Sequence, residues 1–450
     1  MKRKDFGNKF KWGVSICAYQ NEGAFLQDGK GLSIWDVFTN QNGKVRDNQN
    51  ANTTNDFYHL FEDDLKLMKY MNILNFRFSL SWSRIFPNGT GTVNQKGVDF
   101  YNRLIDKCIE LGIKPWVTLY HWDLPQALEE RGGWTNRDVV EWFSDYVTFC
   151  VNTFGDRVKN WMILNEPMVY TGAGYFLGLH APGRKDIENF IPAMHHTVLA
   201  QAAGGRIVRS LFPKSKVGTT FSCSYVEPAS QDPRDILAAN RVDALLNRLY
   251  IEPSLGLGYP QTDVRMLNKV EDYMQAGDEK LMPFNFDFIG IQNYTREKVQ
   301  HSFFTPYVQA RFVSAAERNL PQTAMGWEVY PKAMYNMLKK FGAYEGVKKI
   351  LVTENGAAFP DQLLVNGRIH DKHRTNYLKA NIEQMKLAMD EGINVGGYFV
   401  WTFTDNFEWA EGYHPRFGLV YVDFEKQARF IKDSGFWYRS FLAGNESTKL

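Results

Sequence analysis

Cysteine and long apolar runs are both scarce in this 450-residue sequence. The four cysteines stand far apart and lack the spacing of metal ligands, which predicts buried free thiols, no disulfide and no metal site; they are Cys17, Cys108, Cys150 and Cys223. The longest apolar stretches have the length of β-strands and fall short of the roughly 20 residues that a membrane-spanning helix needs. We therefore expect a protein that does not cross a membrane.

An excess of charge of one sign is also missing. Lys and Arg total 52 against 50 for Asp and Glu, a formal charge of +2, and the basic residues form no cluster. A nucleic-acid-binding protein would need such a cluster, so we expect no nucleic-acid partner. The charged start, residues 1–6, leads into no apolar run that could act as a signal segment, which predicts a cytoplasmic location.

No Pro/Ser-rich linker, acidic tail, internal repeat or low-complexity tract interrupts the chain. Instead, eight short runs rich in Val, Ile, Phe and Trp recur along it, separated by helical patterns such as residues 57–71 and 97–111. Their length suits buried parallel strands. The predicted strands are residues 10–15, 73–80, 115–121, 161–165, 217–222, 286–294, 350–354 and 397–403.

Eight strands that alternate with helices predict an α/β fold, a (β/α)8 TIM barrel that residues 1–450 form as a single catalytic domain. A doubly wound open sheet is the alternative. That fold normally carries a glycine-rich phosphate loop after its first strand, whereas Gly13 is followed here by the sequence VSIC. Longer insertions, such as residues 301–321, are expected to be loops around the barrel mouth.

The residues at the ends of the predicted strands are polar or aromatic, whereas a purely structural rim would show Gly, Asp and Asn caps. Reacting groups of such barrels sit at these ends. The chain also has 15% aromatic residues and 12 tryptophans, and aromatic faces serve function in sugar sites. The candidate site residues are Gln20, Arg77, His121, Trp122, Asn165, Glu166, Tyr294, Glu354, Trp401, Glu408 and Trp409.

Glu166 and Glu354 end the fourth and seventh predicted strands, each directly after an apolar run. In a barrel of eight strands, those two ends can face each other across the mouth. Cleavage of a glycosidic bond needs such a pair, because one carboxylic acid protonates the departing oxygen while a carboxylate attacks the anomeric carbon or activates water. A separation of about 5 Å selects the covalent, retaining route. Each motif is weak by itself, and the prediction depends on their joint placement.

The predicted neighbours of this pair give two identical side chains opposite roles. Arg77 is expected to keep Glu354 ionised by lowering its pKa, while a drier setting and the repulsion of Glu354 raise the pKa of Glu166. Tyr294 is expected to hydrogen-bond Glu354 and orient it, and Asn165 to hold a sugar 2-hydroxyl. Donors, acceptors and apolar faces for the rest of a sugar ring are expected from Gln20, His121, Glu408, Trp401 and Trp409.

Several long motifs occur in a fixed order along the chain. They include FKWG at 10–13, YQNEGA at 19–24, SIWD at 33–36, FRFS at 76–79, SWSRIFP at 81–87, LYHWDLP at 119–125, LNEP at 164–167, TENG at 353–356 and DNFEWAEGY at 405–413. On these motifs the chain resembles the family 1 glycoside hydrolases, the β-glucosidase family, from Phe10 to Phe436.

The resemblance implies an enzyme without a cofactor, a retaining β-glycosidase that hydrolyses terminal β-D-glucosyl residues of β-glucosides and short cello-oligosaccharides. Glu166 is similar to the family's acid/base and Glu354 to its nucleophile. The glycone-binding set would be Gln20, His121, Asn165, Glu408 and Trp409, with Trp401 as the sugar platform. The leaving-group side would be lined by Trp122, His180 and Trp327.

Three positions depart from the family pattern. Cys17 stands where a smaller residue is usual and is expected to change packing beneath Gln20. Gln292 replaces an Asn, and Met168 replaces an aromatic residue beside Glu166. Family members acting on 6-phosphorylated sugars carry a phosphate pocket of Ser, Lys and Tyr after the eighth strand. The corresponding stretch here is residues 408–417, and the charge of Glu408 is expected to repel a phosphate, so a non-phosphorylated glycone is favoured.

Three other kinds of protein can be compared with a β-glucosidase: a glycosidase for another sugar, an aldolase and a non-catalytic sugar-binding protein. A β-galactosidase or β-fucosidase with the same mechanism is the alternative, because these glycones present similar hydroxyls. An aldolase would need a Schiff-base Lys on a strand, and no predicted strand ends in Lys. A non-catalytic sugar-binding protein would have lost one carboxylate, and both are present. The partner is therefore expected to be a small-molecule carbohydrate, and the oligomeric state is left open.

Overall fold

A computed structural model describes residues 2–364 and 367–444. Its centre is a closed barrel of eight parallel strands in which each strand pairs with its neighbours in sequence and the eighth pairs with the first. The strands are β1 (Lys11–Ser15), β2 (Asn75–Ser79), β3 (Lys114–Tyr120), β4 (Asn160–Asn165), β5 (Lys216–Ser222), β6 (Phe288–Gln292), β7 (Ile350–Asn355) and β8 (Val395–Trp401). The predicted barrel is confirmed, and each predicted strand overlaps one of these eight.

A long helix follows every barrel strand and packs outside the sheet. These helices are Phe57–Tyr70, Gln95–Glu110, Val139–Phe154, Ile187–Leu211, Pro233–Asp243, Lys332–Gly342, Lys372–Asp390 and Asp433–Leu442. Shorter helices, located mainly in the connections that follow the strands, are Ala18–Asn21, Ile34–Thr39, Trp82–Ile85, Gln126–Glu129, Pro167–Thr171, Ile251–Ser254 and Asp278–Leu281. Within the described ranges, none of the helices is both long enough and apolar enough to span a membrane.

Two small sheets lie outside the barrel, and the sequence analysis missed both. Tyr225–Pro228, Arg296–His301 and Ala310–Phe312 form a three-stranded sheet, so the insertion 301–321 is only partly a loop. Val420–Asp423 and Ala428–Ile431 form an antiparallel pair. Their strands are short and partly exposed, so they lack the continuous apolar run that identifies a barrel strand.

A layer of large apolar side chains fills the barrel beneath its mouth. The cluster consists of Trp116, Met162, Phe288, Leu351 and Phe399, all at most 5% exposed. Glycines on the strands make room for its rings, because a Cβ on Gly218 would lie 2.2 Å from the ring of Phe288. The polar side chains at the strand ends therefore rest on a dry floor.

The loops that follow β7 and β8 are joined by a buried network of ion pairs. The Lys432 ammonium lies 2.5 Å from Asp361 and 2.7 Å from Asp405, and all three side chains are fully buried. Arg374 donates to Asp361 at 2.8 Å, and Arg416 to Asp405 at 2.9 Å. Separating the two loops would leave buried charges without partners, which is costly. The network therefore stabilises the contact between the loops.

Replacing Lys432 with Met leaves two buried aspartates short of a cation. We expect Lys432→Met to lower the free energy of unfolding by about 3–5 kcal/mol, measured by urea unfolding. The matched control is Lys386→Met, which removes a surface pair with Asp390 and is expected to cost less than about 1 kcal/mol. Equal losses in the two variants would contradict this account.

Candidate active site

A cavity of about 300 Å³ opens at the carboxyl ends of the barrel strands. Its lining includes both candidate carboxyl groups and most of the other predicted site residues. The predicted residues that line it are Gln20, His121, Trp122, Glu166, His180, Tyr294, Trp327, Glu354, Trp401, Glu408 and Trp409. Arg77 and Asn165 do not line the cavity, and both lie fully buried beneath it.

Arg77 connects the two strand ends that carry the candidate carboxyl groups. Its guanidinium donates to Glu354 on β7 and to the side-chain oxygen of Asn165 on β4, and its Nε lies 3.1 Å from the sulfur of Met162 in the floor. The same Asn165 oxygen accepts a bond of 2.8 Å from Gln292. This arrangement fixes Asn165 and Glu354 relative to each other.

Glu354 is held from two sides and is only 3% exposed. The hydroxyl of Tyr294 donates to one carboxylate oxygen at 2.6 Å, and Arg77 donates to the other. Both contacts lower the pKa of Glu354, but burial raises it by more, so the net shift is upward. The prediction that Arg77 lowers the pKa of this carboxyl is correct for that contact and wrong for the net shift.

Glu166 follows β4 directly and begins the short helix Pro167–Thr171 with a positive φ of 46°. Burial raises its pKa well above the usual value, and the charge of Glu354 raises it further. Arg77 and a hydrogen bond from Ser222 oppose the shift. Of the two carboxyls, Glu166 thus holds its proton more strongly, as the sequence predicted.

One wall of the cavity presents polar atoms that no described residue satisfies. These are Oε1 of Gln20 and Nδ1 of His121. Nε2 of His121 accepts from the Asn165 amide at 2.9 Å, because the Asn165 oxygen is already bonded to Arg77. Burial lowers the pKa of His121, so the ring is neutral and carries its proton on Nδ1. An acceptor and a donor therefore face the cavity.

Glu408 lies on the same wall and hydrogen-bonds to Gln20 Nε2 at 3.2 Å. Burial, and then the charge of Glu354, raise the pKa of Glu408 to about 8. At neutral pH this carboxyl is mainly protonated and both donates and accepts. Repulsion by Glu408 alone is consequently a weaker argument against a phosphorylated sugar than the sequence suggested.

Aromatic rings form the rest of the inner wall. Trp409 packs on Trp122 with ring centroids 4.4 Å apart and on Trp35 at 4.5 Å. The ring centroid of His121 lies 6.2 Å from that of Trp401 and 6.0 Å from that of Trp409. Such apolar faces suit the C–H surfaces of a sugar ring.

The structure locates the three departures from the family pattern. The Cys17 sulfur lies 3.9 Å from the backbone oxygen of His121, which places it in packing beneath the wall. Gln292 reaches Asn165 despite its longer side chain. Met168 does not line the cavity, whereas its neighbour Val169 does.

Several lining residues were not predicted from sequence. They are Val169, Ser222, Cys223, Ser224, Thr295, Glu297, Met325, Ala410, Glu411 and Phe417. Ser222 ends β5, so the strand-end rule could have found it. Glu297 lies on a strand outside the barrel, and the rule offers no signal there.

His195 and His196 lie side by side in the helix Ile187–Leu211, and His195 has an acidic partner. His195 lies 2.8 Å from Asp278 and 2.9 Å from the hydroxyl of Tyr259. These hydrogen bonds hold the helix Ile187–Leu211 against the segment around Asp278. In the described part of the chain, His, Cys, Asp and Glu form no group of three or more that could hold a metal. All four cysteines are buried and free, as predicted.

A (β/α)8 barrel whose mouth holds two carboxyl groups among amide and aromatic side chains has the fold and site of glycoside hydrolases. The family model of glycosyl hydrolase family 1 matches residues 2–447. The chain belongs to glycosyl hydrolase family 1, as the sequence motifs predicted.

Relatives and solved structures of this family cover the whole chain. Beta-glucosidase A of Thermotoga maritima is 42% identical over 446 residues, 99% of each chain. The 1,4-beta-D-glucan glucohydrolase of Thermotoga neapolitana is also 42% identical and covers 99% of this chain and 100% of its own. The family 1 β-glucosidase structure from Thermotoga maritima has a TM-score of 0.93 at 41% identity and covers 98% of this chain and 99% of its own. Another structure of that enzyme, with the same TM-score, identity and coverage, contains deoxynojirimycin.

Removing the Tyr294 hydroxyl tests how Glu354 is held. Because this hydroxyl lowers the pKa of Glu354, Tyr294→Phe is expected to raise that pKa and to move the acidic limb of the pH–rate profile to higher pH. The kcat/KM for an aryl β-glucoside should fall about tenfold to a hundredfold, the value of one hydrogen bond to a charged group. Tyr335→Phe, which removes a bond to Glu391 at the surface, is the control. An unmoved acidic limb in Tyr294→Phe would contradict this view.

Proposed function

We propose that the chain is a retaining β-glucosidase that removes terminal β-D-glucosyl residues from β-glucosides and short cello-oligosaccharides. The main observation is the pairing of Glu166 and Glu354 in one cavity, with the pKa of Glu166 raised more strongly. Family membership and the names of the relatives, a beta-glucosidase and a 1,4-beta-D-glucan glucohydrolase, support glucosides over galactosides and fucosides.

In the first step Glu354 attacks the anomeric carbon as the nucleophile. Arg77 and Tyr294 hold its two oxygens, so the carboxylate is oriented before the substrate arrives. Glu166 donates its proton to the departing glycosidic oxygen. The bond to the leaving group breaks, and a covalent glucosyl ester on Glu354 forms.

In the second step water cleaves this ester. Glu166, now a carboxylate, takes a proton from the water as it attacks the anomeric carbon. The charge of Glu354 disappears when the ester forms, so its repulsion no longer raises the pKa of Glu166. Glu166 then stays ionised more readily and can act as the base. Two inversions leave the configuration of the sugar retained.

The glucosyl ring is held by the polar wall of the cavity and by the tryptophans. Gln20 Oε1 accepts from one sugar hydroxyl, His121 Nδ1 donates to another, and Glu408 does both. Asn165 is fully buried beneath the cavity, so it supports this wall through the bond that its amide donates to His121 Nε2 and not through the expected direct contact with the 2-hydroxyl. Trp401 and Trp409 supply apolar faces, while Trp122, His180 and Trp327 line the side of the leaving group.

The proposed enzyme has a single catalytic domain and a cytoplasmic location. Residues 1–450 act as one catalytic domain, because every barrel strand contributes to the closed sheet that carries the site. The protein works in the cytoplasm, a setting that four buried free thiols suit.

Replacing Glu354 with Ala removes the nucleophile and opens room for a small anion. We expect Glu354→Ala to lose roughly 10⁴-fold or more of kcat on an aryl β-glucoside, and azide to restore turnover with an α-glucosyl azide product. Glu166→Ala with azide is expected to yield the β-glucosyl azide. The surface variant Glu391→Ala serves as control and keeps its activity. Near wild-type activity of Glu354→Ala would overturn the proposal.

A phosphate on the sugar tests the choice of glycone. No Lys or Arg belongs to the described cavity lining, so nothing there neutralises a phosphate. We expect kcat/KM for an aryl β-glucoside 6-phosphate to be about a hundredfold or more below that of the plain glucoside. The neutral 6-O-methyl glucoside controls for size. Faster cleavage of the phosphorylated substrate would refute the assignment.

A further inference from the structure

Carboxyl groups are the source of charge in the described cavity lining, and of these Glu166 and Glu408 hold their protons at neutral pH. Five carboxyl side chains line the cavity, none of the lining residues that the structure describes is Lys or Arg, and burial keeps the two lining histidines, His121 and His180, neutral. The five carboxyls belong to Glu166, Glu297, Glu354, Glu408 and Glu411. A cavity with one sign of charge attracts cations and repels anions.

Two of these carboxyls have no part in the proposed mechanism. Glu411 is about half exposed and lies 3.9 Å from Arg46 at the surface. Glu297 is partly buried, and no residue of the described ranges hydrogen-bonds to its carboxyl or forms an ion pair with it. A carboxyl that lines a ligand cavity without a protein partner is available to a ligand.

Glu297 is electrostatically separate from the catalytic pair. The charges that act on it are those of Arg318, which lowers its pKa, and Glu328, which raises it, whereas Glu166 and Glu408 are both influenced by Glu354. Arg318 is already paired with Glu328 at 2.7 Å. The neighbouring Arg296 is paired with Glu328 at 2.8 Å and with Glu227 at 2.6 Å. Arg318 and Arg296 are thus both bound to other carboxylates, and neither forms an ion pair with Glu297.

Glu297 lies beside the segment of Trp327, to which the proposed function assigns the leaving group: the hydroxyl of Thr295 donates to the backbone oxygen of Glu328 at 2.9 Å. Glu297 follows Tyr294 and Thr295 on the chain and shares the cavity lining with Trp327, whose ring lies 5.3 Å from that of Tyr294. The glycone wall, with Gln20 and Glu408, is formed by the segments that follow β1 and β8 instead. A leaving group bound there would meet an apolar ring and, at its edge, an unpaired carboxylate.

We propose that Glu297 determines leaving-group specificity by favouring β-glucosides whose leaving group carries a protonated amine and by rejecting those that carry a carboxylate. The inference rests on the proposed function, since it concerns the second ligand of that same cavity. Burial raises the pKa of Glu297 to about 7, so the group is charged in mildly alkaline solution. An ammonium group on the leaving group would form the ion pair that the Glu297 carboxylate lacks within the described residues.

The test uses three aryl β-glucosides that differ only in the charge of a para substituent: aminomethyl, hydroxymethyl and carboxymethyl. The methylene group keeps the reactivity of the phenol leaving group similar. Values of kcat/KM are measured at a pH of about 8, above the pKa of Glu297, for the wild type, Glu297→Gln and Glu297→Ala. Glu317→Gln removes a surface charge from the same connection between β6 and the helix Lys332–Gly342 and is the matched control.

In the wild type we expect the order aminomethyl, hydroxymethyl, carboxymethyl. The ratio of the first to the last is expected to fall by about threefold to tenfold in both Glu297 variants, the size of one charge pair in a partly solvated cavity, and to stay constant in Glu317→Gln. An unchanged ratio in both Glu297 variants would overturn the inference while leaving the proposed function in place. Failure of the wild type on the neutral hydroxymethyl substrate would overturn the proposed function and this inference with it.

Discussion

The guanidinium of Arg77 lies in the dry centre of the barrel mouth and bonds to both Glu354 and Asn165. Below it is the apolar floor, represented by Met162 at 3.1 Å, and above it is the sugar cavity. A buried cation without partners would be strongly destabilising, so its two contacts must form whenever the barrel forms. The positions of β2, β4 and β7 relative to one another are thereby coupled to the position of the nucleophile.

The contact between Arg77 and Glu354 also explains why Glu166 and Glu354 differ in pKa and in role. Both carboxyls are buried, and burial raises both pKa values. Glu354 receives Arg77 and Tyr294 as donors, which favour its charged form, whereas Glu166 receives the repulsion of Glu354. The proton that the pair shares is therefore held on Glu166. His121 is neutral for a related reason, since burial and the charge of Arg77 both lower its pKa.

Sequence patterns predicted the barrel and most of its site because both follow from strand periodicity. A buried parallel strand needs an apolar run, and its last residue must face the mouth, which is how Glu166, Glu354 and Tyr294 were found. The sheet of Tyr225–Pro228, Arg296–His301 and Ala310–Phe312 lacks such runs, so Glu297 was missed with it. The net pKa shift of Glu354 was also missed, because the cost of desolvation depends on three-dimensional packing that no local pattern encodes.

Glu354 is the more acidic of the two carboxyls, and its charge helps to keep Glu166 protonated. Carbon-13 NMR titration of glutamate side-chain carboxyls labelled with carbon-13 measures this order of ionisation, with Glu166 and Glu354 assigned from Glu166→Gln and Glu354→Gln. We expect the Glu354 carboxyl to lose its proton at lower pH than that of Glu166, and the pKa of Glu166 to fall in Glu354→Gln. If Glu166 ionises first, or if its pKa does not change when Glu354 is neutralised, the electrostatic account of this site is wrong.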